Sequence, residues 1–347
     1  MKKTVALLAF VALIIGGVLY LKTHSTSLPV VRVVTWSGYF PDQIINEFTR
    51  KTGVRVELSY ISSNEELFSK LKAGATGYDI IQPSDYMVEQ MTKLDMLHPL
   101  DKNLLPHYGH LDPYYLNLPY DPGLKFTLPF VRGTTGVVVN TEKVKVPPQG
   151  IDWDFVLNST DPTHTSLLDD MREVFAAALF KMGKSPNTTD MATLESASLV
   201  IRKAKGQIAL FSSEPLPLLL RGDVTIAHAF STHGIQAAVS NPKFKYLLPK
   251  SGNTVWTDNF AIPRTSPNIK TAHAFLDYFL DPDNAKAIVD ENHLATPNKT
   301  ARLKLSPLVQ KDELLYPIES VLNRMVFLKS IDDGLLIMNR LWTDMKS

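Results

Sequence analysis

The 347-residue chain contains no cysteine. That excludes disulfides, thiol catalysis, thiolate-held metals and a lipid-modified cysteine behind a leader. It also lacks an excess of either charge. The 36 Lys and Arg stand against 35 Asp and Glu, a formal net charge of +1, and no basic surplus points to nucleic acid. Sequence repeats and low-complexity tracts are missing, which removes solenoids and compositionally biased linkers. No Gly-x-Ser-x-Gly elbow, His-Glu-x-x-His pair or glycine-rich phosphate loop occurs, so the common signatures of esterases, zinc peptidases and nucleotide binders are absent. The nine histidines show no ligand spacing. His228 and His233 lie five apart, with His228 on a strand pattern, which disfavours a metal pair. No metal and no cofactor is expected.

What remains is an ordinary globular composition, 44% hydrophobic and 20% charged, in a chain long enough for two domains. Lys2 and Lys3 precede an apolar run over residues 4–21. Residues 1–28 therefore read as a secretory signal peptide or a single-span N-terminal anchor. No clean Ala-x-Ala precedes Pro29, but an exported chain with a cleaved signal is the preferred reading.

From residue 30 onward, strand and helix patterns alternate. Residues 30–34, 54–58 and 78–81 are β-branched, strand-like runs, and helical stripes cover 41–51, 64–71 and the stretch up to 94. Asn64 reads as a helix cap, as does Ser84. This β-α rhythm predicts a parallel sheet with helices on its faces. A Pro- and Tyr-rich connection follows at 99–129, then a strand at 136–140. Further strands are expected at 166–168, 208–211, 224–230, 246–248 and 256–262. Helices are expected at 172–182, 191–203, 269–280, 284–290 and 333–345. Two α/β lobes follow, joined by crossover strands near Thr134 and Asn259, with a cleft between them. The N-terminal lobe takes 29–134 plus about 259–305, and the C-terminal lobe takes 135–258 plus about 306–347. Ligands in such folds sit at the carboxyl ends of strands and between domains.

The segment TSLLDDMREVF (165–175) stands at one such strand end. Asp170 fits an N-cap with Glu173 three residues on, and both carboxylates then surround the positive end of a helix dipole. Carboxylates placed so are expected to stay ionised at neutral pH. Taken alone, the pair is a capping box. Trp36, Tyr86 and Trp256 taken alone are core or rim aromatics, and Asp258 alone is a turn residue. Their joint occurrence at strand ends raises a binding reading above each of these.

These same stretches carry a resemblance. TWSGY (35–39), TGVRV (52–56), SNEELFSKL (63–71), YDIIQPSDY (78–86), LLDDMREVF (167–175) and WTDNFAIP (256–263) resemble the periplasmic spermidine/putrescine-binding proteins of ABC transporters. The similarity runs from about Val30 to the C-terminus. It implies a two-lobe α/β periplasmic-binding-protein fold, type II-like, holding its ligand in the interlobe cleft. It further implies a periplasmic, non-enzymatic protein that captures a polyamine and hands it to an inner-membrane ABC permease and its ATPase. The matching positions imply that Trp36, Ser37 and Tyr39 form one aromatic loop and Ser84 and Tyr86 a second. Asp170 and Glu173 are the paired acids, Phe230 stands where similar members carry Trp, and Trp256 and Asp258 form the last aromatic–acid pair. The chemistry agrees: a polyamine stem asks for apolar walls, and its ammonium groups ask for carboxylates and ring faces.

Three positions depart from the resemblance. Gly38 follows Trp36-Ser37 where relatives carry an acid. Arg132 stands where they usually have Trp, placed to repel a cation or to pair with Asp85. Asp85 is an acid that relatives generally lack, and it is expected to replace the acid missing at Gly38. Two other functions compete. One is a sensory binding protein that reports polyamine to a membrane partner; the other is a hydrolase using paired carboxylates as acid and base.

Overall fold

The computed structural model describes residues 28–159 and 161–347, so the expected leader lies outside the described residues except for Leu28. In the first half of the chain, strands β1 (Val30–Trp36), β2 (Arg55–Ile61), β3 (Ile80–Ile81), β4 (Leu97–His98) and β5 (Thr127–Asn140) appear in order. They are followed by β6 (Thr165–Leu167), β7 (Leu210–Phe211), β8 (Ile226–Phe230), β9 (Phe244–Leu247), β10 (Asn253–Pro263) and β11 (Met325–Phe327). β1 is flanked by β2 and β3, both parallel to it, and helices Asp42–Thr52 and Asn64–Lys72 make the crossovers. The first of these helices stops at Gly53, whose left-handed φ of 68° lets its N–H reach Thr49 O.

The strands form one hydrogen-bonded path, β2-β1-β3-β10-β5-β8-β6-β7, and not two separate sheets. The path is continuous because β5 serves both halves. Its residues from Thr127 to Thr134 pair with β10, and those from Thr135 to Asn140 pair with β8 and β9. The sheet is mixed, with parallel strands at both outer ends and the two long antiparallel strands in the middle.

β5 begins at Thr127, well before the strand expected at 136. Pro129 and Gly133 read as breakers in the sequence, and both are accommodated by tertiary contacts. Pro129 sits where the ladder to β10 shifts register between Asp258 and Asn259, a bulge at which its missing N–H costs no ladder bond. Gly133 passes against Trp256, and a Cβ there would lie 2.2 Å from the indole ring. Helices Pro215–Arg221 and Ser231–Ser240, the latter holding Gly234 against Tyr246, were likewise hidden by their Pro and Gly content.

One half is packed by rings. Phe40 lies 5.4 Å from Phe130 and 5.1 Å from Phe279, and Phe260 lies 4.5 Å from Phe130. Each such pair adds about 0.5–1.5 kcal/mol beyond its buried area. In the other half, helix Met171–Lys181 is buried along nearly its whole length, and Trp153 donates its indole N–H to Gly252 O at 2.8 Å. These packed halves place strand ends around one cavity.

Candidate functional site

That cavity measures about 400 Å³, and all eleven residues expected of the site lie on its wall. β1 ends in Trp36 and leads through Ser37 to Tyr39. The helix Asp85–Lys93 brings Ser84, Asp85 and Tyr86 after β3. The helix Met171–Lys181 follows β6 and brings Asp170 and Glu173. Phe230 closes β8, and Trp256 and Asp258 come from the middle of β10.

Asp258 is no turn residue. It sits inside β10 at the register shift, 3% exposed, accepting from the Ser84 hydroxyl at 2.6 Å and from the Tyr39 phenol. Ser84 occupies the N-cap position of its helix but makes no side-chain cap bond. Its hydroxyl is spent on Asp258, and Asn64 holds it from the other side: Nδ2 donates to Ser84 Oγ at 3.1 Å, and Ser84 N donates to Asn64 Oδ1 at 2.9 Å. Asn64 is therefore a positioning residue and not a cap. Ser63 caps that helix instead, accepting from Glu66 N at 3.1 Å.

Asp170 does cap its helix, accepting from Glu173 N at 3.0 Å. Glu173 does not reach back to complete a capping box. Its carboxylate turns to Thr254, whose hydroxyl donates to it at 2.7 Å. The expectation that these acids stay ionised at neutral pH is corrected. Burial, then the neighbouring Asp170, pushes Glu173 up to about 8. Burial raises Asp258 to about 6 and lifts Asp170 as well. The reason is that removal from water outweighs a helix dipole when several acids share one small space. A cation placed among them reverses that balance.

Asp85 is 1% exposed and accepts from Tyr86 N at 2.8 Å and Thr257 N at 3.3 Å. Burial raises it well above the usual carboxylate range, and Asp258 and Glu173 nearby add to the rise. It does not pair with Arg132. Arg132 lines a different, smaller cavity, where its guanidinium lies 5.6 Å from the Tyr114 ring centre. Both roles expected for Arg132 at the cleft are thereby withdrawn. Gly38 is exposed, has φ of +76°, and a Cβ on it would meet nothing within 4 Å.

The apolar walls are Trp36, Tyr39, Tyr60, Tyr86, Phe230 and Trp256, with Phe230 meeting Trp256 edge-on at 5.9 Å. Arg172, buried at the helix start, lies 4.9 Å from the Tyr86 ring centre and donates to Lys329 O at 3.1 Å. Tyr86 in turn donates to Glu65 at 3.1 Å. His228 and His233 do not converge. His228 is buried against Trp153, and burial lowers it to about 3, whereas His233 reaches the cavity rim. Reading the sequence missed Tyr60, Ile61, Ser62, Glu66, Ser213, Glu214, Thr232, His233 and Leu328 on the wall. Glu66 and Glu214 are acids following β2 and β7, the same strand-end signal that located the others.

Comparison with known proteins places this geometry. Residues 43–317 match the family described as bacterial extracellular solute-binding protein. Spermidine/putrescine-binding periplasmic protein 1 of Haemophilus influenzae is 32% identical over 94% of this chain and 91% of its own length. The spermidine/putrescine-binding periplasmic protein of Escherichia coli is 34% identical over 85% of each chain. Among solved structures, a putative spermidine/putrescine ABC transporter from Listeria monocytogenes superposes with a TM-score of 0.87 at 29% identity, over 91% of this chain and 98% of that one. The aromatic and acidic strand ends, the two-lobe α/β architecture and these likenesses agree: the chain belongs to the bacterial extracellular solute-binding proteins, alongside the spermidine/putrescine-binding periplasmic proteins.

Proposed function

We propose that this protein captures a polyamine of the putrescine or spermidine class in its cleft and delivers it to a membrane transporter. One observation carries the reading. The cavity wall holds six carboxylates and six aromatic rings, and among the described residues lining it there is no Lys or Arg. A cation entering there meets carboxylates and ring faces and no Lys or Arg of the wall. Desolvated ammonium–carboxylate pairs are the strong kind of hydrogen bond, and losing one partner of such a pair costs about 3–5 kcal/mol. A cation over an exposed ring gains about 0.5–2 kcal/mol. The methylene stem lies against Trp36, Phe230 and Trp256. Trp36, Ser37, Tyr39, Ser84, Asp85, Tyr86, Asp170, Glu173, Phe230, Trp256 and Asp258 are proposed as contacts or as residues that set them. Asp258 is the deep anchor, held ready by Tyr39 and Ser84.

The relatives' names support a periplasmic carrier working with an ABC transporter, and the proposed partners are its permease and ATPase. A leader in residues 1–28 would export the chain. The proposed division into lobes falls within β5 at Thr134–Thr135 and within β10 near Asn259. The transport reading is preferred over sensing because the relatives named for this fold are transport proteins. The test is calorimetry on protein unfolded and refolded to strip endogenous ligand, titrated with putrescine, spermidine and a neutral diol of matched length. Micromolar or tighter binding of an amine, with none of the diol, is expected. Absence of binding by every amine would remove the proposal.

A further inference from the structure

The rim of the cleft carries a carboxylate with little else to do. Of the acids on the wall, Asp85 is spent on two backbone N–H groups. Glu66 is spent on Lys70 at 2.6 Å and on Ser62, whose hydroxyl donates at 2.7 Å. Asp258 is held by Tyr39 and Ser84. Glu214 differs. It stands at the N-cap position of helix Pro215–Arg221 but makes no side-chain cap bond. Its side chain is 52% exposed, and its one charged neighbour within ion-pair distance among the described residues is His233, with Nε2 at 3.3 Å. His233 is otherwise buried, 13% exposed, and its Nδ1 has no partner. The Nε2 contact steadies the Glu214 carboxylate from one side and leaves its other face to the cavity. His233 first, and the Ser37 side chain on the same cavity wall after it, hold Glu214 below the usual carboxylate range despite partial burial. Burial raises Asp85, Asp170, Glu173 and Asp258, whereas Glu66 and Glu214 are held low. Glu66 is already paired with Lys70, which leaves Glu214 as the wall carboxylate with a low proton affinity and no Lys or Arg partner among the described residues.

Its position matters because Ser37 immediately precedes Gly38, the residue with no side chain to offer at that end. We propose that Glu214 supplies the outer anion of the cleft, taking the terminal ammonium of a triamine whose other end lies among the deep acids. This residue then sets preference for a triamine over a diamine. A short diamine satisfies the deep acids and does not extend to the rim. The inference rests on the polyamine reading above and specifies which length of ligand the site favours.

The test uses the full chain, stripped of ligand, titrated by calorimetry with putrescine and with spermidine. Wild type is measured first: binding of neither amine overturns the polyamine reading and this inference with it. If wild type binds, Glu214→Gln should weaken spermidine about tenfold or more while changing putrescine by less than about twofold. Adding Gly38→Asp to Glu214→Gln should recover most of the lost spermidine affinity, because the Cβ meets open space and Asp tolerates a left-handed backbone better than most residues. Recovery by a carboxylate next to Ser37 separates a charge effect from damage to the fold. An equal loss for both amines, or no loss for either, overturns the assignment. So does a selective loss that Gly38→Asp fails to recover while the melting temperature is unchanged.

Discussion

The cleft and the smaller cavity around Arg132 are both built from rings and charged groups, yet they are arranged in opposite ways. In the smaller one, of about 160 Å³, Arg132, Lys299 and Arg302 surround Tyr114, Tyr115 and Tyr316. The chain's own cations occupy the ring faces there: the Arg302 guanidinium lies 3.9 Å from the Tyr316 centre and that of Arg132 lies 5.6 Å from Tyr114. In the cleft, Tyr86 alone of the wall rings carries such a cation, Arg172 at 4.9 Å. Trp36, Tyr39, Tyr60, Phe230 and Trp256 have none among the described residues. The same quadrupole attraction is satisfied internally in one place and left open in the other. What marks a cation site is therefore not aromatic content but a set of ring faces and carboxylates most of which, Tyr86 and Glu66 apart, the protein leaves without a Lys or Arg of its own.

The largest test of this contrast removes the withheld charge. Asp258→Asn and Glu173→Gln are each expected to weaken spermidine by tenfold to a hundredfold, about 1.4–2.8 kcal/mol, in calorimetric titration. Thermal stability of the ligand-free protein at pH 7 should barely change for Glu173→Gln, because the acid it replaces is mostly protonated there. A loss of stability with affinity kept would return Glu173 to a purely structural role.

A second test uses pH. Glu173 is raised from its ordinary 4.5 to about 8 in the ligand-free fold. Protonation is thus easier in the folded than in the unfolded chain. Its contribution to stability is fully present below about pH 4.5 and is lost as pH rises through about 8. Binding an ammonium reverses the preference, so capture should release protons and affinity should climb between pH 6 and 8, approaching tenfold per unit for one proton. Calorimetry in buffers of different ionisation enthalpy counts those protons, and a count of zero would contradict the shared burial of these acids.

A smaller effect is expected at a ring. Trp256→Leu keeps an apolar wall and removes a face, so affinity should fall roughly threefold to thirtyfold, about 0.6–2 kcal/mol. The smallest effect belongs to the other cavity. Arg302→Ala exposes the Tyr316 ring but should change polyamine affinity by less than about twofold, because that site has no matching set of carboxylates. A larger change would mean that the two cavities are coupled through β5.

Local pattern was enough to locate much of the molecule. The β-branched run of β1 and the amphipathic stripes of Asp42–Thr52 and Ile269–Leu280 are short-range signals, and they were legible. The eleven wall residues came from the family resemblance; spacing alone offered only the aromatics and acids of the loops after β1, β3, β6 and β8, and Trp256 and Asp258 lie in the middle of β10. What the spacing could not supply was partnership. Asn64 and Ser84 each resemble a helix cap in isolation, and only the approach of Asp258, 174 residues beyond Ser84, turns them into a relay that aims an acid. Pro129 and Gly133 look like the end of a strand until β10 supplies a register shift for one and Trp256 needs the space of the other. Arg132 was expected at the cleft because relatives carry Trp at its position, and the fold places it on the other cavity.

Sequence by itself determined which groups are available: no thiol, no net charge to speak of, and rings and carboxylates at the ends of strands. Tertiary structure alone decided their state. Desolvation depends on everything that packs around a group, so only the folded chain could raise Glu173 and Asp258 while leaving Glu214 ionised at the rim.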